Sequence, residues 1–468
     1  MKEREMKILK NSLVFTIGNL GSKVLSYIMV LVYTHYISLS ELGYYDIVLT
    51  SISFLQPFVM LAFDEGIYRW LIDANKTEQK SIISSCIKAI GFTTLIASIF
   101  FLLVNQFICI KYGIEIIILF SSGIIYSLLL NAARGLGSNE LYAKSGIINS
   151  ILMLLFEIVG IVLLKKGVVV LIVSKSIANI ITCIYIYFKQ NEIKGFVFEK
   201  ININIAKSIL KYTLPLIPNT VSWWIVSSSD RYIILFGLGT TFNGIYAIAN
   251  KFPTIITMVA SILYLALQEA VIKAYNEEDR DAFYSNIFEK YYKFLFSLVM
   301  CAVPITKIII MFFVGTAYTS AWKYVGFLFM STVFSSLSSF LGIGYQVSKD
   351  TKRSAISTIF AAIINIIVNV LLINFIGLHA ASLSTLCAYV FLFVIRIIHS
   401  KKYFSLYINW KKFVFLFVEC LVIIGLTFIC NIYVILVIFI VAVVLFLYNN
   451  KDTIVPIIKK LFNKKSNV

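Results

Sequence analysis

The chain is short of acids. Asp and Glu together number 23 against 41 Lys and Arg, and only three histidines occur in 468 residues. Those histidines, His35, His379 and His399, lie far apart and form no constellation. The seven cysteines (Cys86, Cys109, Cys183, Cys301, Cys387, Cys420, Cys430) are scattered through apolar stretches with no C-x-x-C pair. These absences argue against a metal centre and a disulfide framework, and the thiols read as buried apolar groups. No metal ligands are expected. Alternating segments of about ten residues, the mark of a transmembrane β-barrel, are also missing. The basic start, Met1 to Lys10, precedes an apolar run that is too long, and too poor in small residues at a cleavage point, for a removable signal peptide. That run is expected to be the first membrane anchor.

What the chain has is apolar surface: 60% of residues are hydrophobic, 15% are aromatic, and the mean hydropathy is +0.90. No soluble core hides that much, so the fold class is an all-α polytopic membrane protein. The net charge of +18 lies in short connections. It therefore reads as a topology signal rather than as a nucleic-acid footprint.

Apolar runs predict 14 spans, at 12–37, 42–63, 82–105, 114–133, 145–164, 168–188, 214–237, 243–267, 290–314, 323–345, 355–376, 378–398, 413–430 and 432–448. Segments on the side of the termini hold 31 of the 41 basic residues, and the opposite loops hold four: Lys111, Lys165, Lys166 and Lys323. By the positive-inside rule both termini are expected in the cytoplasm, in a multi-pass protein of a bacterial inner membrane.

The two halves resemble each other. Lys10-Asn11-Ser12-Leu13 corresponds to Lys211-Tyr212-Thr213-Leu214, Gly43 to Gly244 and Tyr45 to Tyr246. Further on, Gly167 corresponds to Gly377, Ser174 to Ser384 and Ala178 to Ala388. A duplicated six-helix unit gives parallel repeats, with residues 1–190 as one lobe and 214–400 as the other. Residues 191–213 form a connecting segment with amphipathic character, 401–448 two added spans, and 449–468 a basic tail.

Six cations, Lys23, Lys88, Lys175, Arg231, Lys251 and Lys307, stand inside predicted spans. A cation at the centre of a spanning helix costs ~3 kcal/mol on insertion scales, so each must face protein or a watery cavity, or snorkel. Lys23 lies on a polar stripe with Asn19 and Ser26, and Arg231 lies on one with Thr220, Trp224 and Ser227, beside Asn219. Both are expected to line a cationic cavity; a salt bridge to a neighbouring helix is the competing reading for each. Lys175 and Lys251 are divided between cavity and structural roles, and Lys88 and Lys307, nearer helix ends, are expected to snorkel. Arg69 and Arg134 sit where an anionic headgroup would arrive, and equally where topology anchors belong. Among the acids, Glu65, Glu157 and Asp230 are candidates for coupling to an ion, with plain salt bridges as the alternative.

The run from Trp223 through Ser227-Ser228-Ser229-Asp230-Arg231-Tyr232, with Gly237-Leu238-Gly239 and Gly244-Ile245-Tyr246 after it, resembles the polysaccharide transporters of the MOP superfamily. So does the opening from Asn11 to Gly43-Tyr44-Tyr45. These are the Wzx-type repeat-unit flippases, to which MurJ and the MATE exporters are more distant relatives. The resemblance spans nearly the whole chain as a diffuse pattern. It implies a two-lobed exporter moving an undecaprenyl-pyrophosphate-linked oligosaccharide to the outer leaflet, with coupling to a proton or sodium gradient and no cofactor. Glycosyltransferases and a glycan polymerase of the same pathway are the implied partners. A MATE-like drug antiporter is disfavoured by the sign of Lys23, and a membrane glycan polymerase or ligase by outer loops only a few residues long.

Overall fold

The structure, a computed structural model, describes residues 27–195, 199–274, 277–348, 350–452 and 456. Lys23, Asn19 and Ser26, most of the first predicted span and most of the basic tail lie outside the described residues. Among those described the regular structure is entirely helical, as the apolar runs require. Eleven helical stretches are long and apolar enough to cross a membrane, and twelve if one bent pair counts as a span. Twelve of the fourteen expected segments fall on these. Residues 214–237 do not form one rod.

The chain divides into two compact units, one through Trp224 and the other from Ile225. In the first unit, α1 (Leu39–Met60) begins at Ser38 and α3 (Lys76–Ile108) begins at Asn75. Each start is a capping box, closed by Glu41 and Glu78 respectively, which satisfies backbone N–H groups that no helix turn can reach. Between them α2 (Phe63–Asp73) continues α1 after a 50° bend, where Leu61 and Ala62 adopt left-handed backbone. Next come α4 (Gly113–Gly135), α5 (Asn139–Glu157) and α6 (Val169–Lys189). Glu157, buried, closes α5, and the helix then widens into a π-turn at Ile158–Leu163. Gly160 lies in that turn because a Cβ there would come 2.4 Å from Val170. The interior of α4–α6 is polar where they meet: Asn149 donates to Asn179 at 3.1 Å, and Asn179 donates to Ser122 at 3.5 Å.

The connection after α6 folds back onto this unit. Helix α7 (Ile203–Thr213) buries Ile209 and Thr213 against Gly66 and leaves Lys207 and Lys211 exposed. Lys88 holds this connection. Its ammonium donates to the Glu199 carbonyl, which also accepts from Ser84 at 2.9 Å, so Lys88 fixes a remote segment.

The predicted seventh span is α8 (Ile217–Ser228) followed by α9 (Asp230–Gly237), with a break at Ser229. The bend invited by Pro215 and Pro218 is a short 3-10 turn over Leu214–Leu216, ahead of α8. The second unit continues with α10 (Thr240–Lys251), α11 (Pro253–Lys273), α12 (Arg280–Phe313), α13 (Trp322–Leu341), α14 (Thr351–Ile376) and α15 (Leu378–Ser400). The last two spans are α16 (Trp410–Ile429) and α17 (Ile432–Asn449). Asp350, Asn409 and Asn431 cap α14, α16 and α17 through their side-chain oxygens.

Lys307 of α12 is buried. It donates to the carbonyls of Thr427 (2.7 Å) and Cys430 (3.2 Å) at the end of α16 and lies 3.8 Å from the centre of the Trp322 ring. The expected snorkelling does not occur, because the open carbonyls of a helix terminus solvate the cation inside the protein. Arg396 is handled similarly, with Nη1 donating to the Ser338 carbonyl at 2.8 Å and Nη2 to Thr358 at 3.3 Å.

Candidate functional site

The break at Ser229 positions the site. Its hydroxyl turns back to the Ile225 carbonyl at 2.6 Å, and Asn243 of α10 donates to the Arg231 carbonyl at 2.9 Å. The Ser229 N–H still donates to the Ile225 carbonyl at 3.2 Å and the Ile233 N–H to the Ser229 carbonyl at 3.3 Å, so the break is an interruption of one residue. The first residue of α9, Asp230, is carried inward and is only 1% exposed.

Three other helices converge on this carboxylate. Tyr246 of α10 donates its phenol to Oδ2 at 2.9 Å, and Thr385 of α15 donates to the same oxygen at 2.7 Å. Asn369 of α14 donates to Oδ1 at 3.0 Å. One turn earlier on α14, Asn365 reaches Oδ1 at 3.2 Å in the amide orientation that satisfies both its ends, with its oxygen accepting from the Thr385 N–H. Tyr246, Asn365, Asn369 and Thr385 are all buried. Neutral donors therefore hold a carboxylate at membrane depth, where an unsatisfied one would cost several kcal/mol.

The same residues offer oxygens. Thr385 Oγ1 lies 3.0 Å from the Ala381 carbonyl as well as 2.7 Å from Asp230, so its single proton serves one of two acceptors at a time. Asn369 Oδ1 is buried and takes no hydrogen bond. Asn369 presents its amide nitrogen to Asp230, so the oxygens that meet here are the carboxylate, the Thr385 hydroxyl and the Ala381 carbonyl, hard donors of the kind a small cation takes. With one carboxylate among neutral oxygens, the charge suits a monovalent ion or a proton. No trio of His, Cys, Asp and Glu that would hold a transition metal occurs among the described residues.

Arg231 is not aimed at this oxygen set. Its Nη1 donates back along α8 to the Ser227 carbonyl at 2.7 Å, and its guanidinium lies 5.8 Å from the Tyr246 ring centre. Tyr246 therefore touches both Asp230 with its hydroxyl and Arg231 with its ring face. Ser227 is exposed beside Ser228, with 3.2 Å between hydroxyls.

The other expected site residues are dispersed. Trp224 belongs to the first unit, where its indole donates to Ser53 at 2.9 Å and its ring lies 4.6 Å from that of Phe54. Asn219 is exposed near the start of α8. Lys251 is half-buried at the end of α10, and Lys175 is half-buried on α6. Arg69 makes an exposed ion pair with Asp73 one turn along α2, and Arg134 stacks 4.3 Å from the Tyr68 ring centre. Glu65 is exposed on α2, whereas Glu157 is buried at the π-turn. Of the three candidate coupling acids, Asp230 is the one set among named hydrogen-bond donors from three other helical segments. Its partners Tyr246, Asn365, Asn369 and Thr385 were not expected from the sequence. The pair Asn365 and Asn369, one helical turn apart in an apolar span, was the available signal.

Comparison with known proteins agrees with this architecture. The family model described as polysaccharide biosynthesis protein matches residues 8–268, a little over half of the chain. An uncharacterized membrane protein of Methanocaldococcus jannaschii is 23% identical over 416 residues, covering 84% of this chain and 97% of that protein. Among solved structures, the lipid II flippase MurJ in an inward closed conformation superposes with a TM-score of 0.73 at 15% identity, covering 95% of this chain and 100% of MurJ. An inward-facing multidrug resistance MATE transporter of the MOP superfamily gives 0.67 at 13% identity, with coverages of 86% and 95%. This multi-pass membrane protein belongs to the polysaccharide biosynthesis protein family and has the fold of the MurJ and MATE transporters of the MOP superfamily.

Proposed function

We propose that the protein is a flippase that carries an undecaprenyl-pyrophosphate-linked oligosaccharide repeat unit from the cytoplasmic to the outer leaflet of a bacterial inner membrane. The product would serve a surface polysaccharide such as a capsule or exopolysaccharide, and glycosyltransferases and a polymerase of the same pathway would act before and after it. Family membership supports the polysaccharide, and a lipid flippase is among the proteins of the same fold. The distribution of Lys and Arg supports a cytoplasmic placement of both termini. Arg231 and Lys251 in the second unit, and Lys23, Lys175, Arg69 and Arg134 in the first, are the candidate cations for the pyrophosphate, which needs positive partners to leave the headgroup layer. Asn219, Trp224 and Ser227, with Asn19 and Ser26, are assigned to sugar hydroxyls.

The observation that carries the coupling is the buried Asp230 carboxylate, held by neutral donors from three other helices. In this reading a sodium ion or a proton occupies the Asp230 site. A proton would neutralise the carboxylate, and sodium would draw in the oxygens of Thr385 and Ala381. Either event changes what Tyr246 is bonded to, and Tyr246 also supports Arg231. Cation and pyrophosphate are thereby linked through one phenol, and linkage requires that each alter the affinity for the other. Glu157 and Glu65 are the secondary candidates for an ion.

The test is transport in proteoliposomes containing a fluorescent undecaprenyl-pyrophosphate oligosaccharide. Movement of label between leaflets is expected to need the protein and to respond to an imposed sodium or pH gradient. Movement at the protein-free rate would sink the assignment. Drug export, a second reading prompted by the likeness to MATE transporters, predicts instead that overexpression raises resistance to cationic drugs.

A further inference from the structure

A slot of about 310 Å³ opens in the second unit, where the start of α15 meets the end of α16, and shares no residue with the Asp230 site. Its apolar walls are Val303, Trp322, Phe327, His379, Ile424 and Phe428, drawn from α12, α13, α15 and α16. Gly326 lets α13 close on α16 here, since a Cβ on it would come 2.8 Å from Ile424.

Two polar groups interrupt the apolar wall. Lys323 is exposed and lines the slot. It is one of four basic residues expected on the side opposite the termini, where Lys and Arg are otherwise avoided. Thr427 is 2% exposed, and its hydroxyl takes no hydrogen bond. A helical Thr ordinarily bonds a carbonyl one turn back, so this hydroxyl keeps its bonding capacity unspent. Two χ1 rotamers are open to Thr in a helix, so hydroxyl and methyl can exchange places in the wall.

No acid balances Lys323. Asp and Glu are absent from Lys290 to Lys349 and from Thr351 to Val418, and Glu419 of α16 is hydrogen-bonded to Asn449. Lys307, bonded to the Thr427 carbonyl and 3.8 Å from the Trp322 ring centre, adds positive potential beside the slot. With His379 neutral, the lining carries one positive charge. The rim is apolar: Phe375, Phe428 and Ile429, at neighbouring span ends, are 84%, 44% and 85% exposed. A ligand therefore enters from the bilayer.

We propose that the slot holds one acyl chain of an anionic phospholipid, with the phosphodiester at Lys323 and an ester carbonyl accepting from Thr427. Anion, ester and hydrocarbon follow one another in such a lipid, and they match the exposed cation, the buried hydroxyl and the apolar wall. A fatty acid carries its charge on the end of the chain and would leave either the ammonium or the hydroxyl unserved. A pyrophosphate would need a second cation, and Lys307 is already committed to carbonyls. The ligand is thus a lipid of the leaflet, distinct from the transported molecule.

The test is native mass spectrometry of the purified full chain with phosphatidylglycerol, phosphatidylcholine, oleate or soluble glycerophosphoglycerol added. One equivalent of phosphatidylglycerol is expected to be retained in preference to phosphatidylcholine. Lys323→Ala should weaken phosphatidylglycerol about fivefold and leave phosphatidylcholine unchanged, the scale for one basic group at an anionic lipid surface. Thr427→Val removes the hydroxyl at constant shape and should weaken both lipids alike, by roughly two- to tenfold. Lys352→Ala, which changes an exposed lysine on α14, should alter neither. Equal retention of the two lipids by wild type, or unchanged phosphatidylglycerol in Lys323→Ala, would overturn the site. Unchanged retention in Thr427→Val would overturn the ester contact. Equal competition by oleate or by glycerophosphoglycerol would overturn the phospholipid assignment.

Discussion

The Tyr246 hydroxyl donates to Asp230 Oδ2 across 2.9 Å, joining α10 to the first residue of α9 where the seventh span is broken. Neither residue has access to water to speak of, so the bond is made in a medium where losing it is costly. Both ends matter to the proposed coupling, because the same phenol ring supports Arg231.

Removing this donor has a consequence that depends on the cation. Tyr246→Phe is expected to destabilise the sodium-free protein by about 1.5–3 kcal/mol, the worth of a hydrogen bond to a charged group. Saturating sodium should restore much of that, since a bound cation satisfies the carboxylate instead. Asp230→Asn should show no sodium response at all. Thermal unfolding in detergent, with sodium or choline as the cation, measures both. A sodium response that survives Asp230→Asn would place the ion elsewhere.

Lys307 separates structural from transport roles among the intramembrane cations. Its ammonium is spent on the Thr427 and Cys430 carbonyls and the Trp322 ring. Lys307→Met should cost about 2–3 kcal/mol of stability. Flipping per folded molecule should stay at the wild-type rate. A selective loss of transport, with stability unchanged, would assign Lys307 to the substrate path.

Outside the membrane spans, Asp350 gives a prediction on pH. The Tyr403 hydroxyl donates to it at 2.7 Å, and this bond, with the Arg353 N–H and guanidinium beside it, holds the carboxyl below its ordinary value of 3.8. A depressed value stabilises the fold above the unfolded-state pKa, and that contribution disappears as pH falls through the folded-state value. Wild type should therefore lose more stability than Tyr403→Phe when acidified below about pH 4. Parallel melting curves of the two proteins against pH would contradict this.

Much of the fold was legible because membrane physics leaves few choices. An apolar run long enough to span must be helical, and caps such as Asn75 with Glu78 mark where it starts. The seventh span was harder, since Pro215 and Pro218 announce an irregularity near its beginning while the break that matters falls at Ser229. Asp230 could be singled out as a costly intramembrane acid, yet its partners lie 16 to 155 positions away along the chain. Nothing local to Asp230 announces Thr385. What Lys88 and Lys307 bind was hidden for a related reason. Their acceptors are main-chain carbonyls of remote segments, and a carbonyl leaves no trace in residue identity.

The most direct test of the central claim is flipping of a fluorescent undecaprenyl-pyrophosphate oligosaccharide by wild-type and Asp230→Asn protein in proteoliposomes, with and without a sodium or proton gradient. Wild type should accelerate at least tenfold under one of the two gradients, a coupling within the usual range for linked sites. Asp230→Asn should run at one slow rate under every condition. Equal gradient-driven flipping by both proteins would contradict the account.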